Sequence, residues 1–496
     1  MLNRKEPLYA VSACLAMIVV SAFTGCAKGP VVGEEIPARI GNWRVEVGPA
    51  GNEVYQHSEE KIKPPTDVVL RWPAIIAPHT SIDKWELDFD DDEYEIDTEV
   101  GDEEYEFKVT PAGDLVSIEY ENDETYIKEV PDELVLKGTK QKVELTDVPP
   151  EALKTLAKAL PNAKPDKAFA AQTIAGKRYG IVIGDLVFYA RPDGQIQAAG
   201  LVEDDALDEV DPRTIEATGV NLDPEAFNAQ LEKQLGPYRE RFNFANQIRK
   251  LGQGPKGADS AYRYIVLGDS RSKWELWSNI VKHIDQLDPK PAFVINVGDI
   301  VPDGFMDQFR DYYIPPLLET DIPYFVSIGN HDEGVRNQVR EYRYLFGENS
   351  LNYYFDYGKA RYVFIDNNTD ATDEDEMLEW LGQTLAETPA GFRKIVAAHY
   401  PPGNIEKWEY HSWGEDESKV FTDLMTKHAV DAVYLGHIHA YSTAVLGGVQ
   451  YTISGGGGAG LHDRFGPLGN VHHYVICDVA PDGTVKQQVV RFYEAE

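Results

Sequence analysis

The sequence predicts an α/β fold for the C-terminal half of the chain, preceded by a smaller acidic α+β domain. In the C-terminal half, short apolar runs typical of buried strands alternate with segments of helical period, such as residues 274–287. In the N-terminal half, residues 85–109 alternate apolar and mostly acidic side chains at period two, which is typical of strands with one solvated face. With 496 residues, of which 43% are apolar, the chain is long enough for about two to four packed domains.

Five apolar runs in the C-terminal half are followed by residues of the types that bind metals. The runs and the residues that follow them are 264–267 before Gly268-Asp269, 292–297 before Gly298-Asp299, 322–328 before Gly329-Asn330-His331-Asp332, 395–398 before His399, and 432–435 before Gly436-His437-Ile438-His439. Carboxylate, amide and imidazole groups are donors that Mn, Fe and Zn accept. Each pair alone is also typical of an ordinary turn or strand, but five in one α/β segment favour a metal site.

The order of these five blocks resembles that of the calcineurin-like metallophosphoesterases, including the purple acid phosphatase branch, over about residues 260–496. The resemblance implies a layered β-sandwich of two mixed sheets flanked by helices. It implies hydrolysis of phosphate mono- or diesters, and two divalent or trivalent metal ions, either Mn, Fe or Zn. A phosphorylated substrate is therefore the expected small-molecule partner.

The resemblance also assigns roles to residues. The implied ligands of the first metal are Asp269, Asp299 and His439, and those of the second are Asp299, Asn330, His399 and His437, so that Asp299 bridges the pair. His331 would lie beside the leaving-group oxygen, and Asp332 would orient it. Two ions about 3.5–4 Å apart lower the pKa of a shared water so that hydroxide attacks phosphorus in line. Imidazole is suited to assist the departing alkoxide near neutral pH.

In one respect the sequence departs from this family. Most members have Asp-x-His in the first block with the His as a metal ligand, whereas here that position is Arg271, which stays protonated and cannot bind a cation. Purple acid phosphatases use a Tyr shortly after the second Gly-Asp instead, but residues 300–304 contain none. In one interpretation Arg271 binds substrate phosphate, and water or Asp303 completes the shell of the first metal. In the other, that metal binds weakly and the enzyme is slow or mononuclear. We favour the first because every other motif residue is present.

Other histidines and the loop that contains one of them have weaker signals. Residues 401–417 are loop-like and aromatic, and we expect them to form the rim that selects substrate. His411 in this loop is a candidate for a further ligand or acid, with a packing role as the alternative. The remaining C-terminal histidines, His462, His472 and His473, are unassigned, with surface or packing roles as the default.

The first 26 residues have the features of an export leader. Arg4 and Lys5 precede an apolar run over residues 8–23, which is short for a membrane span and ends at Gly25-Cys26. This pattern resembles a bacterial lipobox, with Cys26 acylated and anchored in a lipid bilayer; an uncleaved anchor or an ordinary signal peptide are the alternatives. The expected location is outside the cytoplasm, lipid-anchored to the cell envelope. Cys477 is then left without a partner and is predicted to be a buried apolar residue.

The charge is strongly acidic and unevenly placed. Residues 81–150 contain 24 acidic and 6 basic side chains, which give −18 of the formal −36 of the whole chain. Such a surface disfavours nucleic acid and anionic membranes as partners. Oligomeric state has no sequence signal.

The sequence predicts four segments after the leader. Residues 27–80 are a β-rich segment without an assigned role, 81–202 an acidic α+β domain, 203–257 a helical connector, and 258–496 the metallophosphoesterase domain. Within 81–202, a helix after Pro149-Pro150 and two strand pairs with Pro-x-Gly turns resemble PepSY-like domains, although a plain α+β spacer fits the same pattern. The alternative to an enzyme is a metal-impaired binding or scaffold lipoprotein that uses this acidic module.

Overall fold

Three β-sheets with helices around them make up the described part of this computed structural model. The described residues are 36–51, 64–88, 93–122, 125, 127–129, 134–173, 175–202, 222–252, 254–255, 261–335, 338–369, 371–408 and 411–494. The predicted leader, with Cys26, lies outside these ranges. Within them, no helix is both long and apolar enough to cross a membrane.

The elements are numbered in chain order. The strands are β1 (Arg39–Ile40), β2 (Trp43–Pro49), β3 (Ser81–Asp88), β4 (Glu93–Val100), β5 (Glu103–Val109), β6 (Leu115–Asn122), β7 (Ile127–Glu129), β8 (Gln141–Val143), β9 (Lys167–Thr173), β10 (Gly176–Ile183), β11 (Leu186–Ala190), β12 (Ile196–Leu201), β13 (Tyr262–Leu267), β14 (Phe293–Asn296), β15 (Tyr324–Val326), β16 (Tyr353–Tyr357), β17 (Ala360–Phe364), β18 (Arg393–Ala397), β19 (Ala432–Leu435), β20 (Tyr441–Leu446), β21 (Val449–Ser454), β22 (His472–Val479) and β23 (Val485–Glu494). The main helices are α1 (Asp67–Ile76), α2 (Pro150–Ala159), α3 (Pro224–Gln234), α4 (Gly236–Phe242), α5 (Phe244–Leu251), α6 (Trp274–Asp285), α7 (Arg340–Phe346), α8 (Glu374–Ala386) and α9 (Glu415–Lys427). Short helical turns lie at Met306–Gln308, Phe309–Tyr313, Ile314–Leu318 and Gly466–Gly469.

The first catalytic sheet has seven strands in the order β1-β2-β23-β22-β13-β14-β15. Strands β13, β14 and β15 run parallel, whereas β22, β23 and β2 join antiparallel. All four residues of β14 are buried, as expected for parallel strands covered on both faces. The C-terminal ends of these strands therefore reach one edge of the sheet, where the chain becomes polar.

The second catalytic sheet has six strands in the order β16-β17-β18-β19-β21-β20. Its four central strands, β17, β18, β19 and β21, are parallel, and the two edge strands are antiparallel. The two catalytic sheets face each other across one core: the Phe293 ring of the first sheet lies edge-on to Tyr362 of the second, with centroids 4.9 Å apart. The outer faces carry helices, with Trp277 of α6 buried on the first sheet and Leu381 of α8 on the second. The prediction of a layered sandwich of two mixed sheets flanked by helices is confirmed.

The acidic part of the chain forms a separate ten-stranded antiparallel sheet, β3-β4-β5-β6-β12-β11-β10-β9-β8, with β7 paired to β6. Along β4 and β5, apolar residues such as Ile96 and Phe107 are fully buried, and the charged residues between them are partly exposed. The apolar face packs against α1 and α2 in a core of its own. The predicted period-two strands and the predicted helix after Pro149 are both present.

The segment from 27 to 80, for which the sequence predicted no role, is divided between the two halves. Its first described part forms β2, which extends the first catalytic sheet by pairing Val45 with Phe492 of β23. Its last part forms α1, whose Trp72 Nε1 donates to Gly113 O at 3.0 Å within the acidic half. The predicted helix of the connector is α3, and its buried face with Phe227 packs into the catalytic core.

Candidate metal centre

The predicted ligands follow the C-terminal ends of five strands from both catalytic sheets. In the first sheet, Asp269 follows β13, Asp299 follows β14 and Asn330 follows β15; in the second sheet, His399 follows β18, and His437 and His439 follow β19. Because the two sheets face each other, these ends meet at one edge of the sandwich. Parallel strands that share an edge bring residues distant in sequence to one place.

The backbone at this edge is tightly constrained. Asp269, Asp299 and His437 have positive φ angles of 56°, 51° and 67°, which are uncommon for residues other than glycine. The glycines beside them allow the loops to approach closely: a Cβ on Gly436 would lie 2.7 Å from Asp269 Oδ2, and one on Gly298 would lie 2.6 Å from His399 Nδ1. Strained backbone of this kind is concentrated at functional sites. The Gly in each motif is thus required by the packing of carboxylate and imidazole groups.

Asp269, Asp299 and His439 form the first cluster. Each offers one ligand atom, and these atoms lie within 4.8 Å of one another. Both carboxyl groups are buried, and Oδ2 of each has no hydrogen-bond partner among the described residues. Burial of two carboxylates at one place costs several kcal/mol each unless positive charge offsets it, so the cluster is suited to a cation that binds both. Burial opposes ionisation of Asp299, but electrostatic interactions with His399, His331 and the Arg271 guanidinium outweigh it and lower the pKa of the carboxyl to about 2.

His399, Asp299 and Asn330 form the second cluster. His399 Nδ1 lies 2.7 Å from Val297 O, so this nitrogen carries the proton that it donates to the carbonyl. His399 Nε2 then presents a lone pair, 3.1 Å from Asn330 Oδ1 and 3.3 Å from Asp299 Oδ1. Three electron-pair donors converge here, at the spacing of about 3.0–3.4 Å that neighbouring ligands of one metal adopt. A histidine ligand whose other nitrogen donates to a backbone carbonyl is the usual arrangement in metal sites.

His437 lies between the two clusters. Its backbone N–H donates to Asp269 Oδ1 at 3.0 Å, and its ring centroid is 5.2 Å from that of His399. Burial, followed by the charge of His411, lowers the pKa of His437 well below its usual range. The imidazole is therefore held neutral, the form that binds a metal.

His331 stands beside Asp299 and is oriented by a carbonyl. His331 Nδ1 lies 2.6 Å from Pro302 O, which requires a proton on Nδ1 and leaves Nε2 as the atom that exchanges protons. Its backbone N–H donates to Asp299 Oδ1 at 3.2 Å. Burial, followed by the charge of Arg271, lowers the pKa of His331.

The orienting role of Asp332 toward His331 stays a prediction, and the contacts of Asp332 in the structure are with backbone groups. Both Asp332 oxygens accept backbone N–H groups: Oδ1 accepts from Ile300 at 2.9 Å and Val301 at 3.2 Å, and Oδ2 accepts from Gly329 at 3.0 Å. Asp332 therefore ties the loop after β14 to the loop after β15. The sequence pattern is typical of a carboxylate–imidazole pair. In the structure the carboxylate instead accepts from neighbouring backbone N–H groups, and the imidazole donates to Pro302 O.

Arg271 lies next to the first cluster. Arg271 Nε is 3.6 Å from Asp299 Oδ2, and Arg271 Nη1 is 3.3 Å from His331 Nδ1. Since that nitrogen already carries a proton, the second distance is a close approach of two donors. Asp303, proposed above as a further ligand, is exposed and accepts from Gln308 Nε2 at 2.7 Å. The structure does not bring Asp303 into the metal-binding group of described residues.

Two further histidines lie at this site. The His411 ring stacks on His437 with centroids 3.7 Å apart, and His462 is 4.9 Å from His439 and 5.4 Å from His411 by the same measure. In the sequence, His411 is a weak candidate for a further ligand or acid, and His462 is unassigned with a surface or packing role as the default. The structure shows His462 buried beside the first cluster. Neither belongs to a strand-end motif, so only the fold reveals them.

The comparisons with known proteins agree with this geometry. Residues 262–441 match the family model described as calcineurin-like phosphoesterase. The C-terminal half is a calcineurin-like metallophosphoesterase domain. Its relatives include purple acid phosphatases, and the structure provides a group of residues suited to a metal ion.

Curated relatives match part of the chain. The domain is 28% identical over 176 residues to a probable glycerophosphodiester phosphodiesterase, GpdQ, of Arcobacter nitrofigilis, with 34% of this chain and 63% of the relative covered. It is 24% identical over 220 residues to purple acid phosphatase 5 of Arabidopsis thaliana, with 43% and 52% covered. The chain thus spans less than two thirds of the length of these relatives.

Among solved structures, the chain is similar to the purple acid phosphatase PPD1 of yellow lupin. The TM-score is 0.37 at 16% identity, and the alignment covers 66% of this chain and 60% of that one. GAP50 from the inner membrane complex of Plasmodium has a TM-score of 0.36 at 13% identity, with 48% and 85% covered.

Proposed function

We propose that this protein hydrolyses phosphate mono- or diesters with two metal ions bound at the edge of the sandwich. The observation that carries the proposal is the convergence on Asp299. On one side, His399 Nε2 lies 3.3 Å from Asp299 Oδ1 and 3.1 Å from Asn330 Oδ1; on the other, Asp299 joins the cluster with Asp269 and His439. A carboxylate shared between two sets of ligands is the arrangement that two neighbouring cations require.

The two ions, when bound, make water acidic enough to attack phosphorus near neutral pH and neutralise charge on the phosphate. The chain's own residues hold the site in place. Asp269, Asp299 and His439 would hold the first ion, and Asp299, Asn330, His399 and His437 would hold the second. Asp332 fixes the two loops that present Asp299 and Asn330, which keeps the ligand spacing rigid.

His331 is proposed to assist the leaving group. Because its Nδ1–H is held by Pro302 O, Nε2 is the atom that delivers a proton to the departing oxygen. Burial favours the neutral imidazole in the free protein, so a phosphate anion near the ring is needed to favour the protonated form. General acid assistance of this kind contributes about 10²–10⁴-fold when the leaving group is poor.

Arg271 is proposed to bind a phosphate oxygen. Its guanidinium is 15% exposed at the site and lies beside Asp299 and His331. A guanidinium offers planar donors suited to phosphate and keeps its charge at any pH of interest. It therefore supplies positive charge without being a metal ligand.

Hydrolysis of two dye-releasing esters tests the proposal. Purified protein is assayed with 4-nitrophenyl phosphate and bis(4-nitrophenyl) phosphate, alone and after reconstitution with Mn²⁺, Fe²⁺ or Zn²⁺. Metal-dependent release of nitrophenolate from either ester supports an esterase, and the ratio of the two rates separates monoesterase from diesterase. Absence of both metal binding and turnover favours the binding or scaffold lipoprotein.

A substitution of His331 tests its role separately. We expect His331→Gln to retain bound metal and to lose more activity on an alkyl phosphate than on 4-nitrophenyl phosphate, whose leaving group needs less protonation. His79→Gln, at an exposed histidine of the acidic half, is the matched control. Equal loss on both esters would remove His331 from the role of acid.

We also propose that the protein is exported and anchored to the cell envelope through acylated Cys26. The basis is the leader pattern in the sequence, since residues 1–35 lie outside the described ranges. Metabolic labelling with a radioactive fatty acid should mark the wild type and leave Cys26→Ser unlabelled. Label retained by Cys26→Ser would contradict acylation at this residue.

A further inference from the structure

The first metal site has fewer obvious ligands than the second. Its cluster consists of Asp269, Asp299 and His439, and Arg271, whose Nε lies 3.6 Å from Asp299 Oδ2, is a cation and cannot be a further ligand. A typical two-metal site needs four or more ligands on each ion, some of them water. A further protein donor on this side would complete the ligand shell of the first ion.

His462 occupies such a position. It follows the glycine-rich stretch 455–458, in which a Cβ on Gly455 would lie 3.0 Å from Asp269 Oδ2, so this stretch runs directly against the first cluster. The backbone N–H of His462 donates to His439 O at 3.1 Å. The His462 side chain is 4% exposed, which places an imidazole within the protein beside a predicted ligand.

Ring spacing distinguishes His462 from the other histidine nearby. Two imidazoles that bind one metal through nitrogen at about 2.1 Å, with about 90–110° between them, have centroids about 4.5–5.3 Å apart. The His439–His462 spacing of 4.9 Å falls in this range, as does the 5.2 Å between His399 and His437. His411 and His437 stack at 3.7 Å with planes 10° apart, too close and too parallel to share an ion.

Resting on the two-metal function proposed above, we infer that His462 is a protein ligand of the first metal, together with Asp269, Asp299 and His439. The ligand atoms that lie within 4.8 Å of one another are those of Asp269, Asp299 and His439, so coordination by His462 requires its ring to turn toward them on binding of the ion. His411 covers His437 from the other side and is not a ligand. His462 thereby supplies a metal ligand that Arg271, which stays protonated, cannot supply.

The test is a count of bound metal that does not depend on turnover. Wild type, His462→Ala and His462→Phe are saturated with Mn²⁺, dialysed, and measured by inductively coupled plasma mass spectrometry and by electron paramagnetic resonance. His462→Phe keeps the ring volume without donor atoms, so it remains informative if the alanine variant fails to fold. His411→Phe is the control, because His411 is a neighbouring histidine that the geometry excludes.

The expected result is about two Mn²⁺ in the wild type and in His411→Phe, and about one in the His462 variants, with loss of the spin-coupled two-metal signal. His462→Asp, which restores a donor, should recover the second ion in part. Two ions bound with unchanged affinity in His462→Phe would overturn the inference and leave the proposed function intact. A wild type that binds no metal would overturn the proposed function itself.

Discussion

The acidic sheet and the catalytic sheets contain carboxylates in opposite settings. In the acidic sheet, Lys108 Nζ lies 3.1 Å from Glu95 and 3.3 Å from Glu106, and these side chains are between 22% and 35% exposed. In the catalytic half, Asp269 and Asp299 are buried at strand ends with oxygens that lack hydrogen-bond partners among the described residues. Carboxylates follow one another more closely along strands such as β4 and β5 of the acidic sheet, but the convergence of two buried carboxyl groups occurs at the strand ends of the catalytic half. A metal site is identified by that convergence and not by acidic composition.

The strands explain the difference. Strands β4 and β5 of the acidic sheet alternate buried residues with more exposed ones, so charge is spread along one face in contact with solvent. Strands of the catalytic sheets such as β14 and β19 are buried along their whole length, so polar groups are placed where the strand ends. The candidate metal ligands are thereby concentrated at one edge of the sandwich.

The largest effect is expected from Asp299→Asn. The amide keeps the shape of the carboxylate but removes the charge that both clusters share, so kcat/KM on either nitrophenyl ester should fall by about 10³-fold or more, equivalent to about 4 kcal/mol. The circular dichroism spectrum should be unchanged. Activity within tenfold of wild type would show that the two clusters do not form one centre.

A large effect on stability, but not on metal binding, is expected from Phe107→Ala. Phe107 is fully buried in the separate core of the acidic sheet, and removal of a buried phenyl ring costs about 3–5 kcal/mol. Urea unfolding followed by far-ultraviolet circular dichroism measures the loss of free energy of unfolding. Phe107→Leu, which retains most of the volume, should cost less.

The metal content of Phe107→Ala then sharpens the comparison. If the acidic sheet is a structural neighbour only, the folded variant should bind as many metal ions as the wild type. Loss of metal in proportion to the loss of stability would instead mean that the catalytic edge depends on the acidic core.

An effect of intermediate size concerns acid stability. Burial lowers the pKa of His473, in the catalytic half, to about 3, against about 6.5 in an unfolded chain. Below about pH 6.5 the unfolded chain takes up a proton that the folded protein does not. The free energy of unfolding is therefore undiminished above about pH 6.5 and decreases as the pH falls toward 3. The decrease due to this histidine is about 2 kcal/mol between pH 7 and pH 5.

Measurement of the free energy of unfolding of metal-free protein at pH 7 and pH 5 checks this sign. His473→Gln should lose about 2 kcal/mol less than the wild type over this interval. His79→Gln in the acidic half, where the histidine is exposed, should lose as much as the wild type. Equal losses in all three proteins would contradict the burial argument.

The smallest effect is expected from Glu99→Gln in the acidic sheet. Glu99 is exposed on β4, and surface changes of this kind usually alter stability by less than about 0.5 kcal/mol. Metal content and hydrolysis should be unchanged. A loss of activity comparable with that of Asp299→Asn would give the acidic face a direct part in catalysis.

Much of the catalytic half was predictable because its signals are local. The apolar runs before Asp269, Asp299 and Asn330 are short, continuous and terminated by glycine or a polar group, and parallel strands bring such ends together. The helical period of residues 274–287 predicted α6, observed at Trp274–Asp285. Cys477, predicted as a buried apolar residue, is fully buried.

What was not predictable depends on contacts between distant segments. Pairing of β2 with β23 joins Val45 to Phe492, and neither sequence contains information about the other. The carbonyl of Pro302 that orients His331 has no side-chain signature. The approach of His462 to His439 depends on the path of residues 455–458 between the sheets, a path set by packing and not by periodicity.

The most direct test of the two-metal centre is anomalous X-ray diffraction from crystals soaked in Mn²⁺. A two-metal centre predicts two anomalous peaks about 3.5–4 Å apart, with the Asp299 carboxylate between them. Asp269 and His439 should lie on one side and Asn330 and His399 on the other. No peak at Asp299, or manganese bound only in the acidic sheet, would contradict it.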